Sequence, residues 1–344
     1  MQEEILSNRL LVFINGQVYF QCPNDLYSEA LNWPGRTLRG FQHSDSLYST
    51  IFSMSTADFG DFSTMITYYM SRNFSFQNDV LRAAQGMLRK FSILSGLHCF
   101  EGLPPPLDRS LLFQWSPRPV SRAFGRREGF PSYSWTGWRY ASTYDLDLQR
   151  MDGIWNDKLV SENPSDPEPG LRSWITWHCR LEDGKLFRID NTGRLRKSPL
   201  PKAEDGQSKS RRAFQQLPVS VSDVDFGAVR AKSYPLLLFW TISVNLRLKR
   251  QSYLGESRVP TGHVNFEAID RYGEKCGTVE VDTIMAEATE GKFALLAVDE
   301  QEIWALMLKW EDDIAERRGV ARLSKEVLDT CLPPGPRWKA VILG

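Results

Sequence analysis

The chain has 344 residues, enough for two domains or for one large domain with additional elements. Lysine and arginine together number 42, and so do aspartate and glutamate, so no overall electric field attracts nucleic acid or an anionic membrane. We therefore expect no nucleic-acid partner and no membrane partner. Hydrophobic residues make up 42% of the chain and include 11 tryptophans, which indicates a substantial core.

The amino terminus and the cysteines both favour a cytoplasmic protein. Residues 1–4 lack the basic region and apolar core of a signal peptide. No apolar run reaches the roughly 18 residues that a membrane span needs. The five cysteines are scattered singly without a CxxC pair, which is typical of reduced intracellular thiols.

The first predicted element is a β-hairpin over residues 10–22. Asn15-Gly16 accepts the positive φ that a type I′ turn requires at both central positions, and apolar runs flank it on both sides. Because these runs are apolar on both faces, we expect the hairpin to be buried within a larger sheet.

This part of the chain is similar to a known family. Residues 2–10, followed by the hairpin and Gln21-Cys22, resemble the last conserved block of the fungal heterokaryon-incompatibility (HET) domain. Met1 stands where that family has an aromatic lead, so residues 1–23 resemble a remnant of a HET domain without its upstream part. Later segments are similar to those that follow this domain in large fungal proteins, namely residues 78–80, 130–138 and 315–320 and Trp338-Lys339.

The resemblance also singles out one carboxylate. Glu3 matches the Gln-Glu position of the HET block, and HET domains are thought to be distantly similar to TIR domains, some of which cleave NAD with a glutamate. The catalytic role implied for Glu3 requires the missing upstream strands, which would bind the nucleotide and exclude water. Without the resemblance, Glu3 is interpreted as a solvent-facing residue or the start of a helix.

A helical region is predicted from residue 24 to residue 115. Two apolar stripes have the i, i+3, i+4, i+7 spacing of one helix face, and Asn78 or Asp79 can cap the second helix. A shorter third helix is predicted over residues 107–115. We interpret both stripes as core surface; they consist of Phe62, Met65, Ile66 and Tyr69, and of Leu81, Ala84, Met87, Leu88 and Phe91.

The densest aromatic stretch runs from Phe130 to Trp138, where helices give way to strands. The spacing of Tyr133 and Trp135 predicts an extended segment with both rings on one face, and Gly137 would bend the chain and redirect Trp138. Two interpretations remain open. The rings either hold two layers of the fold together or form a stacking platform for a sugar or a base.

The remainder, residues 116–344, is strand-rich. The clearest strand covers residues 238–248, where apolar and polar residues alternate, and further strands are separated by turns about every 8–15 residues. Residues near 163–170 and 198–212 are predicted to be exposed loops. The sequence therefore predicts an α+β fold, with a helical layer followed by a largely antiparallel, β-sandwich-like region.

No motif for a metal or a phosphate loop is complete. His98-Cys99 and His178-Cys179 are adjacent pairs, and neighbouring side chains on a strand point to opposite faces and cannot share an ion. Gly184-Lys185 and Gly291-Lys292 lack the rest of a phosphate-binding loop. We therefore predict no cofactor and no metal.

Two functions of different classes remain. The preferred hypothesis is a protein-interaction or regulatory module related to fungal self/non-self recognition (heterokaryon incompatibility), with another protein as its partner. The alternative is an enzyme, either NAD-cleaving once the upstream domain is restored or carbohydrate-processing, with Trp135 and Trp138 as the sugar platform. The basic clusters 209–212 and 247–250 are interpreted as a solvated loop and a strand end, with a weak nuclear-import or anion-binding role as the alternative.

Overall fold

The computed structural model divides the chain into two compact units, residues 1–99 and residues 100–344. The residues that the structure describes are 10–14, 17–21, 26–28, 57, 59–70, 74, 76–114, 125–139, 173–199, 201–202, 220–221, 232–251, 263–282, 285–299 and 302–344. The predicted loop at 163–170 lies outside this set, and so does most of the predicted loop at 198–212.

The first unit contains a three-stranded antiparallel sheet formed by β1 (Leu10–Ile14), β2 (Gln17–Gln21) and β3 (Leu26–Ser28). The pairing of β1 with β2 confirms the predicted hairpin, although its Asn15-Gly16 turn lies outside the described residues.

One face of this hairpin is exposed. Leu11 is 55% exposed, Phe13 71% and Phe20 36%. The prediction that the hairpin is buried is therefore wrong for this face. Leu11 pairs with Phe20, and Phe13 follows Leu11 by two positions, so all three side chains lie on the same side of the sheet.

The described residues of the same unit include two α-helices, α1 (Phe59–Met70) and α2 (Val80–Ser95). Both predicted apolar stripes are confirmed as buried faces, except that Leu81 is half-buried. The Tyr69 hydroxyl donates to the Val80 carbonyl over 2.7 Å and so joins the two helices. Asp79 stands immediately before α2 but makes no side-chain capping bond.

Among the described residues of the second unit, eleven strands form one large sheet. The described part of this unit also contains two short helices, α3 (Leu107–Ser110) and α4 (Val327–Thr330), and a two-stranded ladder of β4 (Gly125–Arg126) and β5 (Trp138–Arg139). The strands of the large sheet are β6 (His178–Arg180), β7 (Leu186–Ile189), β8 (Leu195–Lys197), β9 (Ser220–Val221), β10 (Leu236–Arg250), β11 (His263–Ile269), β12 (Lys275–Asp282), β13 (Glu290–Val298), β14 (Glu302–Glu311), β15 (Ile314–Ser324) and β16 (Arg337–Leu343).

Six of these strands form a closed ring in the order β10-β11-β12-β15-β14-β13. The ring closes because β10 pairs with β13 through residues 243–247 and with β11 through residues 247–250. β16 lies beside the first half of β10 and meets the start of β15 in parallel. Every pair within the ring is antiparallel, which confirms the α+β fold with a largely antiparallel, sheet-dominated region.

The interior of the ring holds the apolar core. In β10, Val244 and its alternate neighbours are buried, as the alternating pattern predicts. Val244 pairs with Phe293 of β13, which pairs in turn with Met307 of β14. Gly291 leaves room for this packing, since a Cβ atom there would lie 2.8 Å from the Phe293 ring.

We predict that Phe293→Ala lowers the free energy of unfolding by roughly 3–5 kcal/mol, because removal of this fully buried ring leaves a cavity between Val244 and Met307. Chemical denaturation of the purified protein measures the change. Tyr272→Ala, at a 66% exposed position, is the control and should stay within about 0.5 kcal/mol. Equal losses in the two variants would contradict the assignment of Phe293 to the core.

Candidate functional site

The stretch from Phe130 to Trp138 does not form the predicted extended segment. Residues 132–134 form a turn, Trp135–Gly137 form a single 3₁₀ turn, and only Trp138 belongs to a strand, β5. The reason is local, because the Ser134 hydroxyl accepts a hydrogen bond from the Thr136 backbone N–H over 3.2 Å. A serine bond of this kind competes with an extended backbone.

The rings of this stretch are buried. Tyr133, Trp135 and Trp138 are each at most 1% exposed, and Phe130 is half-buried. In this structure a sugar or a base therefore has no access to the rings of Trp135 and Trp138, so the platform interpretation is wrong. The other interpretation, a cluster of rings inside the fold, agrees with their burial.

Each buried ring also has a hydrogen-bond acceptor for its polar atom. The Tyr133 hydroxyl donates to the Pro235 carbonyl, the Trp135 Nε1 to the Gly102 carbonyl, and the Trp138 Nε1 to the Ser132 carbonyl, each over 2.8 Å. These bonds offset the cost of burying the hydroxyl and indole groups and fix the orientation of each ring.

Two arginines donate hydrogen bonds to backbone carbonyl groups of the same stretch. Arg126 donates to the Gly137 carbonyl over 2.9 Å and to the Phe130 carbonyl over 2.8 Å. Arg127 donates to the Thr136 carbonyl over 3.1 Å and also to the Trp138 carbonyl. The arginines therefore act as internal donors, and the whole stretch serves as a rigid structural element.

Gly137 is required here for space. Its φ is not in the left-handed region, but a Cβ atom at this position would overlap the Pro131 carbonyl oxygen and lie 2.6 Å from Arg126 Nη1. The sequence singled out the correct glycine for a different reason, since the prediction concerned a bend in the chain.

Two titratable side chains, Glu101 and Cys179, lie close to Tyr133. Burial raises the pKa of Glu101 to about 6, with a smaller contribution from the carboxylate of Glu182. Burial and the nearby Glu101 raise the pKa of the Cys179 thiol to about 12. A thiol with such a pKa is protonated at neutral pH and is a poor nucleophile, so Cys179 is not suited to covalent catalysis.

The described surface also carries an open cavity of about 250 Å³ next to β11, β12 and β15. Its polar side chains, the polar depression hereafter, are Gln114, Gln251, Asn265, Thr278, Glu280 and Arg322. Asn265 pairs with Glu280, and Thr278 with Arg322, so the register of three strands places them on one face. The polar depression was not predicted from the sequence. Thr278 and Glu280 alternate with Val279 and Val281 in one predicted strand, and this alternation indicates that the two polar side chains share a face.

The structure describes few contacts for the remaining predicted site residues. Glu3 lies outside the described residues. His178 is buried, and its Nδ1 lies 3.3 Å from the Thr176 carbonyl oxygen. Among the residues that the structure describes, no group of three or more histidine, cysteine, aspartate or glutamate side chains could hold a metal ion. No helix in this part of the chain has the length and apolar character to cross a membrane.

Comparison with known proteins gives no relative. No family model matches the chain, and no curated protein or solved structure matches it either.

We predict that Gly137→Ala destabilises the protein by roughly 1–3 kcal/mol, because the added methyl group forces the Pro131 carbonyl and Arg126 apart. Thermal unfolding of the purified variants measures the effect. Gly125→Ala, on the neighbouring strand β4, is a matched control because a Cβ atom there meets nothing within 4 Å. A Gly137→Ala variant as stable as Gly125→Ala would show that the stretch is not tightly packed.

We predict that Glu101→Gln stabilises the protein by about 1–2 kcal/mol at pH 7–8. The folded protein raises the pKa of Glu101 from 4.5 to about 6, so the folded state binds more protons than the unfolded state between these values. Stability of the natural protein therefore falls as pH rises through this window, and glutamine has no charge to bury.

Denaturant titration from pH 4 to pH 8 measures the difference in unfolding free energy between the Glu101→Gln variant and the natural protein. It should disappear below about pH 4.5, where glutamate is protonated in both states. A constant difference at every pH would mean that the variant acts through packing and not through the charge.

Proposed function

We propose that the chain is a protein-interaction or regulatory module related to fungal heterokaryon incompatibility and that it binds another protein. The observation that supports this most directly is the exposed apolar face of the hairpin, formed by Leu11, Phe13 and Phe20. This face lies within the stretch that resembles the end of the HET domain, so the resemblance and the exposure concern the same residues.

The three side chains form one apolar patch. A single exposed apolar residue is common, but the pairing of Leu11 with Phe20 and the position of Phe13 two residues further along β1 place the three side by side. Large rigid rings contribute much of the binding energy in protein interfaces, and burying them against a partner removes apolar surface from water.

Two observations favour this binding role over the enzymatic alternatives. The rings of Trp135 and Trp138 are buried, and Cys179 has a raised pKa, so neither group is available for carbohydrate binding or nucleophilic attack. The NAD-cleaving alternative depends on Glu3 and on a chain with the upstream strands restored.

We place this function in the cytoplasm. Support comes from the described cysteines, Cys99, Cys179, Cys276 and Cys331, which carry free thiols as proteins of a reducing compartment do.

We predict that Phe13→Ser abolishes the effect of this chain on incompatibility in living cells. The chain is expressed in one of two incompatible strains of a filamentous fungus, and the fraction of fused cells that die is counted. The natural chain should change this fraction. Phe13→Ser should return it to the value without the chain, because loss of an interface ring weakens binding by at least about tenfold.

Ile93→Ser is the matched control, since Ile93 is 73% exposed on α2 and the same kind of apolar surface is removed elsewhere in the unit. Immunoblots should show equal amounts of both variants. A natural chain without effect, or two variants with equal effects, would contradict the proposal.

A further inference from the structure

Three cations lie together on the outer side of the strand ring. Lys292 belongs to β13, and Arg337 and Lys339 belong to β16; both strands pair with β10. All three lie on the opposite side of the sheet from the buried Val244 because they pair with odd-numbered positions of β10. The pairs are Thr241 with Lys339, Ser243 with Arg337, and Asn245 with Lys292.

Lys339 is the central member of this cationic surface, which consists of Lys292, Arg337 and Lys339. It is half-buried, and its Nζ lies 3.7 Å from the centroid of the Trp310 ring. Burial lowers the pKa of Lys339, and the positive charges of Lys292 and then Arg337 lower it further. The two neighbours are therefore close enough to repel the Lys339 ammonium group.

Apart from the Trp310 ring, which attracts the Lys339 ammonium, the described part of the chain offers these three charges no ion-pair partner. The ion pairs there involve other side chains, and none includes a member of the cationic surface. Glu290 precedes Lys292 by two positions on the same face of β13, but its register partner is Arg247 of β10. The fold thus holds three like charges together at a cost in stability, and such a cost is typical of a binding site.

The chemistry of the three groups selects the ligand. Ammonium and guanidinium groups donate strong charge-assisted hydrogen bonds to phosphate oxygens, and a guanidinium can donate two in parallel. Ser243 pairs with Arg337 and Asn245 pairs with Lys292, so both polar side chains lie on the same face and offer further hydrogen-bonding groups. We propose that the cationic surface binds a small phosphorylated molecule that carries at least two negative charges.

This surface differs from the other basic and polar groups of the chain. The cluster at residues 247–250 ends β10, and there Arg247 pairs with the acidic Glu290. The polar depression combines Glu280 with Arg322, so it has no excess of positive charge. The cationic surface gathers its charges from two strands that are far apart in sequence. The proposal is independent of the hairpin face and of the function proposed for it.

The test is a calorimetric titration of the purified full chain with pyrophosphate. The natural protein should bind one equivalent, and added salt should weaken the binding because exposed charges are screened. Lys339→Gln and Lys292→Gln should each weaken it by about tenfold, since each removes a charge-assisted hydrogen bond.

Lys275→Gln is the matched control. It removes the same charge from another exposed position in the same unit, where Lys275 pairs with Glu267 over 3.1 Å, and it should change the affinity by less than about twofold. Without pyrophosphate, Lys339→Gln should leave the melting temperature unchanged or raise it, because the variant removes a repulsion. Lys292 is exposed, so its variant tests binding even if the change at the half-buried Lys339 perturbs folding.

Two outcomes would overturn the proposal. The first is the absence of saturable pyrophosphate binding; if vesicles that contain an anionic phospholipid bind in that case, the source of the phosphate is a lipid headgroup at a membrane surface. The second is an equal loss of affinity in Lys275→Gln and Lys292→Gln, which would indicate net charge alone.

Discussion

The second unit depends on the buried guanidinium of Arg317. Arg317 is fully buried, donates from Nε to the Leu111 carbonyl over 3.2 Å and from Nη2 to the Phe113 carbonyl, and lies 3.7 Å from the Phe113 ring centroid. Its backbone N–H donates to the Ser132 hydroxyl, and Ser132 donates to the Gly344 carbonyl. The side-chain hydrogen bonds offset part of the cost of burying this charge and connect β15 to residues 111–113, which are distant in sequence.

This anchoring explains why the aromatic stretch has a structural role. The segment around Leu111, the stretch from Phe130 to Trp138 and β15 meet at Arg317, and the indole and phenol groups of the stretch bond to neighbouring carbonyls. Beside it, Arg318 lies 3.2 Å from the buried Asp282 and also contacts Glu316. A region held by so many buried polar bonds is well suited to support other surfaces and poorly suited to open for a ligand.

The candidate binding surfaces have opposite character. The hairpin of the first unit exposes apolar side chains to water, and the outer side of the ring in the second unit brings like charges together. Each arrangement costs stability in the isolated chain, and each cost is reduced when a complementary partner binds. The polar depression has no such imbalance, because it combines amides with one acid and one base.

The sequence alone determined the elements with a clear period. It predicted the buried faces of α1 and α2, the hairpin and the alternating strand within β10, because these depend on local spacing and turn chemistry. Tertiary structure decided the closure of the ring, the burial of Trp135 and Trp138, and the exposure of Leu11 and Phe13. It also brought Lys292 beside Lys339, because strand order and register arise from contacts between distant segments that no local pattern contains.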